Sequence, residues 1–110
     1  MSIADDVKEI FDQMPAAFLP EKAVNVNAVI QMALDGEGGG LWAIKIADDK
    51  AVITPGQAES PKLTLKMQAS DYVALSRGQV NPMNLFMAGK IKIEGDITLA
   101  MKFQEMFAIE

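Results

Sequence analysis

Between Phe86 and Gln104 the chain changes its hydrophobic period twice, and any fold must accommodate both changes within that short stretch. Phe86-Met87-Ala88 ends a helix that Gly89 stops. In Lys90-Ile91-Lys92-Ile93-Glu94 the isoleucines point one way and the charged residues the other, the alternation of a sheet with one wet face. Gly95-Asp96 makes a corner. The Asp96 carboxylate suits the free N–H groups and the positive dipole end of a following helix. Leu99, Phe103 and Met106 then recur at helical spacing. The chain therefore contains at least one strand packed closely between two helices, and its remaining elements must complete that sheet.

Upstream, Ser2 is placed to cap a first helix with Ile3, Val7, Ile10, Phe11 and Met14 on one stripe and Asp5, Asp6, Lys8, Glu9 and Asp12 opposite. Interfacial helices carry Lys and Arg on the polar side, so this acidic face predicts packing on a sheet instead of membrane contact. Pro15 and Pro20 are expected to end the helical segment. Alternation predicts a strand over 24–32, with Val24, Val26, Ala28, Ile30 and Met32 on one face. After an Asp35–Gly40 turn come strands 41–46, with Trp42, Ile44 and Ile46 on one face, and 51–54, joined through Asp48-Asp49-Lys50. Pro55-Gly56 and Ser60-Pro61 mark a loop, and Leu63, Leu65 and Met67 alternate inward in the next strand. Ser70 is expected to cap a helix over 71–76 that Gly78 stops. Asn81-Pro82 opens a short helix carrying Met83, Leu85, Phe86 and Met87.

Composition narrows the chemistry. The 110 residues predict one domain, 1–110, with half of them hydrophobic but only 6% aromatic and as many as 8 Met. Met is flexible and polarizable, and it tolerates guests of varied shape. The absence of Cys and His removes thiol and imidazole chemistry and the common zinc ligand sets, so no metal and no cofactor are expected. A formal charge of −5 argues against nucleic acid and, on average, against an anionic membrane surface, and no stable membrane insertion is expected. No stretch reaches transmembrane length, and no basic-then-apolar leader opens the chain, which predicts a cytoplasmic location.

The Gly36–Gly40 cluster lacks the Lys-Ser or Lys-Thr of a phosphate loop and precedes an alternating strand, so it reads as a hairpin turn. The paired acids occupy a helix face (Asp5, Asp6) and a turn (Asp48, Asp49) without a nucleophile beside them, and no Ser sits in a nucleophile elbow. No catalytic residue is assigned. What remains is apolar and diffuse: Phe86, Met87, Leu99, Phe103, Met106 and Phe107 facing Met32, Trp42, Ile44 and Met67. The residues alone leave a solid core and a hollow both open.

Gly89-Lys90-Ile91-Lys92-Ile93-Glu94-Gly95-Asp96, running on to Leu99-Ala100-Met101-Lys102-Phe103-Gln104, resembles the sterol carrier protein 2 lipid-transfer domain family. Length and element order agree along nearly the whole chain. The resemblance implies an α+β fold: a mixed, mainly antiparallel five-stranded sheet covered on one side by four to five helices. It also implies an apolar tunnel with the C-terminal helix in its wall. The tunnel would take fatty acids, fatty acyl-CoA, sterol-like or isoprenoid lipids, and those ten apolar residues become its candidate lining. Gln104 stands where the family pattern also has Gln and becomes a candidate polar contact. Phe103 replaces a Leu often found in animal members, which implies a narrower cavity.

The expected function is non-catalytic lipid binding and transfer by a monomer or weak dimer whose membrane contact is at most transient. The alternative is an accessory domain that binds a partner protein or a lipophilic biosynthetic intermediate such as a quinone precursor. The two short helices between Ser70 and Ala88 are the expected moving part, with Gly78 and Gly89 at their boundaries.

Overall fold

In the computed structural model, which describes residues 2–106, the chain forms a five-stranded sheet with four α-helices. The first helix, α1 (Ile3–Ala17), is capped by Ser2, whose hydroxyl accepts from the Asp5 N–H. It runs through Pro15 instead of ending there. Proline loses its own N–H and crowds the carbonyl four residues back, but it holds a helical φ, and the last turn continues and keeps Met14 buried. A 3-10 turn (Pro20–Lys22) follows.

Strand β1 (Ala28–Asp35) starts four residues later than its alternation predicts and continues past Met32. Val24 is 64% exposed, and Asn25 adopts φ 65° in a turn closed by Val26 N–H to Ala23 C=O. Asn tolerates that left-handed conformation, so the Val-Asn-Val-Asn run mimics a strand without being one. Strands β2 (Gly40–Ala47), β3 (Lys50–Pro55), β4 (Leu63–Gln68) and β5 (Lys92–Gly95) complete a sheet of order β3-β2-β1-β4-β5. The β1–β4 pair is parallel and the other three pairs are antiparallel.

Register places Ile30, Ile44, Ile53 and Leu63 in one row across the inner face, and Met32, Trp42, Leu65 and Ile93 in the next. The helices pack on this face, where Ile30, Met32, Ile44 and Leu63 are completely buried. The outer face carries Lys45, Lys66, Lys92 and Glu94, and Lys66 Nζ meets Glu94 at 2.9 Å.

One outer-face residue is buried all the same. Gln31 Nε2 donates to the carbonyls of Trp42 (3.0 Å) and Gly56 (3.3 Å), and its Oε1 accepts from the Ala58 N–H. A parallel β1–β4 pair forces the chain from the β3 edge back across the sheet. Gln31 pins that crossing segment, and its alternation with apolar neighbours disguised it as an ordinary wet-face residue.

Helix α2 (Ala69–Ser76) grows directly out of β4 with Gln68 at the N-cap, so Ser70 lies inside the helix and is not its cap. Helix α3 (Pro82–Met87) is capped by Asn81, whose side chain accepts from Met83 N–H at 2.8 Å. Helix α4 (Ile97–Glu105) is capped by Asp96, which accepts from Leu99 N–H at 3.1 Å. Gly95, at φ +105°, lets β5 approach β4 so closely that a side chain there would strike the Lys62 carbonyl.

Candidate functional site

The inner face of the sheet is not covered evenly. Over β2 and β3, α1 lies tight: Phe11 stacks on Trp42 with ring centroids 4.6 Å apart and on Tyr72 at 5.3 Å, both at 21°. Such offset stacks fill space efficiently. A groove of about 480 Å³ between α1 and the β2–β3 edge is lined by Phe11, Trp42, Pro15, Ile53 and Pro55. Over β4 and β5 the helices stand away from the sheet and border a larger, half-open cavity of about 720 Å³.

Met32, Leu65, Met67 and Ile93 form the floor of that cavity. Helix α1 supplies one wall through Ile10, Met14 and Ala17. The end of α2 supplies Tyr72 and Leu75, α3 supplies Met83 and Phe86, and α4 supplies Ile97, Ala100, Met101 and Phe103. Five of the residues around it are Met (14, 32, 67, 83 and 101). Unbranched thioether side chains adapt to guests at little rotameric strain, so this wall is compliant. The volume falls within the roughly 300–1,000 Å³ of small-molecule sites.

Polar groups gather along one edge: Asp6, Glu9, Gln13, Ser76, Arg77 and Asn81. Arg77 Nη2 pairs with Asp6 Oδ1 at 3.0 Å and ties α2 to α1. The Tyr72 hydroxyl is buried and lacks a hydrogen-bond partner of ordinary geometry among the described residues. Burial drives its phenol well above the usual range, while the Ser76 side chain one turn away pulls weakly in the opposite direction. Tyr72 is therefore a neutral group at any physiological pH. Among the described residues no cluster of three or more acidic side chains is placed to hold a metal ion.

The sequence-predicted residues divide. Met32, Met67, Phe86 and Phe103 converge on the cavity. Trp42 lies in the ring stack, and Ile44 is completely buried beneath α1 in the core. Leu99 and Met106 point into the packed interior at 6% and 0% exposure, and Met87 faces outward at 78%. The Gln104 side chain and Phe107 lie outside the described residues.

The family resemblance puts the C-terminal helix, with Leu99, Phe103 and Met106 on its apolar stripe, in the tunnel wall. In the structure most of it seals α4 to the core, where Met106 C=O accepts from Leu19 N–H at 2.6 Å. The neighbouring face of α4 (Ile97, Ala100 and Met101) turns to the cavity instead. Ile10 and Met14 were visible on the α1 stripe, but that stripe alone does not tell which of its residues meet the sheet and which meet a void. Tyr72, Leu75 and Arg77 carried no periodic signal of a wall.

The family model described as the SCP-2 sterol transfer family matches residues 7–108. Hydroxysteroid dehydrogenase-like protein 2 of Danio rerio is 30% identical over 109 residues, which are 96% of this chain and 26% of that protein. Sterol carrier protein 2 of Homo sapiens is 36% identical over 74 residues, 66% of this chain and 14% of that protein. The chain thus spans about a quarter or less of these curated relatives. The solution structure of the sterol carrier protein domain 2 of Helicoverpa armigera superimposes with a TM-score of 0.76 at 27% identity, covering 91% of this chain and 84% of that one.

Proposed function

The chain belongs to the SCP-2 sterol transfer family, and from that premise we propose that it binds lipids in the α3–α4 cavity and passes them on without catalysis. The guests proposed are fatty acids, fatty acyl-CoA and sterol-like or isoprenoid molecules. The observation that carries this reading is the Met-walled hollow of about 720 Å³ between the β4–β5 face and helices α3 and α4.

Transfer of hydrocarbon from water into such a wall contributes roughly 0.8 kcal/mol per methylene, so a long acyl chain gains on the order of 10 kcal/mol. Immobilisation offsets roughly 4–15 kcal/mol of that gain, leaving about 6 kcal/mol at most, an affinity of roughly tens of micromolar. One methylene more or less changes discrimination by only about 1–3 kcal/mol, which favours breadth over selectivity. The edge residues support binding better than turnover. Asp6 is engaged by Arg77, and the Tyr72 phenol is held protonated, so neither offers a ready base.

Native mass spectrometry after incubation with hexadecanoic acid, its coenzyme A ester and a sterol tests the proposal. Saturable one-to-one complexes that an Ala100→Trp change abolishes support it, because Ala100 lines the cavity and is small. No complex with any of the three would overturn it. A protein that stays empty and instead captures a stable protein partner would favour the accessory-domain alternative.

A further inference from the structure

The polar and apolar parts of the cavity lining come from different helices. Helices α3 and α4 contribute hydrocarbon, including Met83, Phe86, Ile97 and Met101. The polar members sit mainly on α1 (Asp6, Glu9 and Gln13) and on α2 (Tyr72 and Ser76). A guest with one polar end is therefore oriented, its head toward α2 and its chain toward α4.

Tyr72 is the most deeply buried of these polar residues, at 4% exposure. Its hydroxyl lacks a protein partner of ordinary hydrogen-bond geometry among the described residues. Leaving a buried hydroxyl unsatisfied is costly, and folded proteins satisfy nearly all such groups. The stack on Phe11 fixes the ring in place, so the phenol stays at the cavity. Ser76, one turn further along α2, lines the cavity beside it and is partly buried. A bond between the two hydroxyls would use one of their two donors and leave the other O–H for a guest.

Charge decides which guest oxygen fits. Among the described residues, the charged groups lining the cavity are Asp6, Glu9 and Arg77, two acids and one base. The Arg77 Nη2 is already taken by Asp6 Oδ1 at 3.0 Å, and Glu9 accepts from the Gln13 amide at 3.3 Å on the exposed side. A carboxylate brought to Tyr72 would shed its hydration without a counter-charge and face a net negative edge. An alcohol or carbonyl oxygen gives up far less and accepts from the phenol equally well. Burial keeps that phenol protonated at neutral pH, so the donor is always present.

We propose that Tyr72, with Ser76, is the head-group site of the cavity and selects lipids ending in an uncharged oxygen over those ending in a carboxylate. The uncharged guest sets its alcohol or carbonyl oxygen against the Tyr72 hydroxyl and its chain against α3 and α4. A carboxylate guest keeps its head at the wet rim and binds more weakly. This site rests on the lipid-carrier reading above and ranks its guests.

Calorimetric titration at neutral pH with decan-1-ol and with decanoate, each below its self-association concentration, tests it. The alcohol should bind about tenfold or more tightly than the acid. A featureless apolar cavity would rank them the same way, so the deciding variant is Tyr72→Phe, which keeps the ring and its stack. It should weaken decan-1-ol about threefold to tenfold and change decanoate by less than about twofold. Asp6→Asn, which releases Arg77, should do the reverse and tighten decanoate severalfold. Glu9→Gln, at an exposed site, repeats that charge test should Asp6→Asn fail to fold by circular dichroism. Carbon-13 at the tyrosine ζ-carbon gives a single resonance, because Tyr72 is the chain's only tyrosine. That resonance should move on saturation with decan-1-ol and hold with decanoate.

An alcohol affinity unchanged by Tyr72→Phe, or an equal loss for decanoate, would overturn the head-group site while leaving the carrier reading in place. So would a decanoate affinity indifferent to both charge substitutions. Binding of neither guest to the wild type would refute the carrier reading itself, and the site with it.

Discussion

The two halves of the inner sheet face are built from similar residues and end in opposite states. Over β2–β3 a single aromatic, Phe11, bridges Trp42 and Tyr72 and leaves only the smaller groove of about 480 Å³ between helix and sheet edge. Over β4–β5, Met, Ile and Ala side chains together with Phe86 and Phe103 line a hollow of about 720 Å³. Hydrophobicity does not separate the halves; shape does. Stacked rings narrow one side of the layer, while a lining rich in flexible Met leaves the other wider. The boundary runs between β1 and β2, where Met32 faces the cavity and its register partner Trp42 belongs to the stack.

The largest effect should come from breaking the filled half. Phe11→Ala removes the bridge between two rings and should cost about 3–5 kcal/mol in denaturant unfolding. A loss below about 1 kcal/mol would mean that the stack is no tighter than the hollow.

Tyr72 stands at the border, stacked on Phe11 and lining the cavity, and its buried phenol gives a pH signature. The unfolded chain releases the tyrosine proton near its usual pKa of about 10, while the folded chain retains it. Above that pH the unfolded state binds fewer protons, so stability should fall by up to about 1.4 kcal/mol per pH unit. The loss should be present in the wild type and absent from Tyr72→Phe when the two are compared by urea unfolding between neutral and alkaline pH. As the chain's only tyrosine, Tyr72 also reports directly by phenolate absorbance, which should appear only on unfolding.

In the hollow half, truncation should act on binding more than on stability. Phe86→Ala, at a half-exposed site, should lower stability by less than about 1 kcal/mol yet weaken fatty-probe uptake severalfold. A stability loss as large as that of Phe11→Ala would show that the helix packs solidly after all. The smallest effect belongs to the Arg77–Asp6 pair at the cavity edge. With the Arg77 side chain 44% exposed, solvent screens the interaction, and Arg77→Gln should change stability by about 0–1 kcal/mol.

Much of the architecture was readable because it rests on local chemistry. Asp96, Asn81 and Ser2 cap helices as their positions suggested, and Leu63, Leu65 and Met67 alternate inward. Failures arose where one local pattern has two physical solutions. Val24–Asn27 alternates like a strand but turns on Asn25, and Pro15 sits where a helix either stops or runs through. The cavity lining was harder to read, because amphipathicity identifies the buried face of a helix without distinguishing a face against side chains from one against empty space. Leu99 and Met106 were assigned to the hollow and pack solidly, while Ile97, Ala100 and Met101 one face over line it. That division depends on how far each helix stands from the sheet, which is set by long-range contacts such as the Leu19–Met106 bond.

The methionines offer a direct test of a lipid-filled hollow on the β4–β5 side. Carbon-13 methyl labelling of Met, followed by nuclear magnetic resonance on titration with a long-chain fatty acid, reads both regions at once. The methyls of Met14, Met32, Met67, Met83 and Met101, which line the cavity, should shift together and saturate. Met106, sealed in the packed interior, should hold its position. Unmoved cavity methyls at saturating lipid, or a shift centred on Met106, would contradict the account.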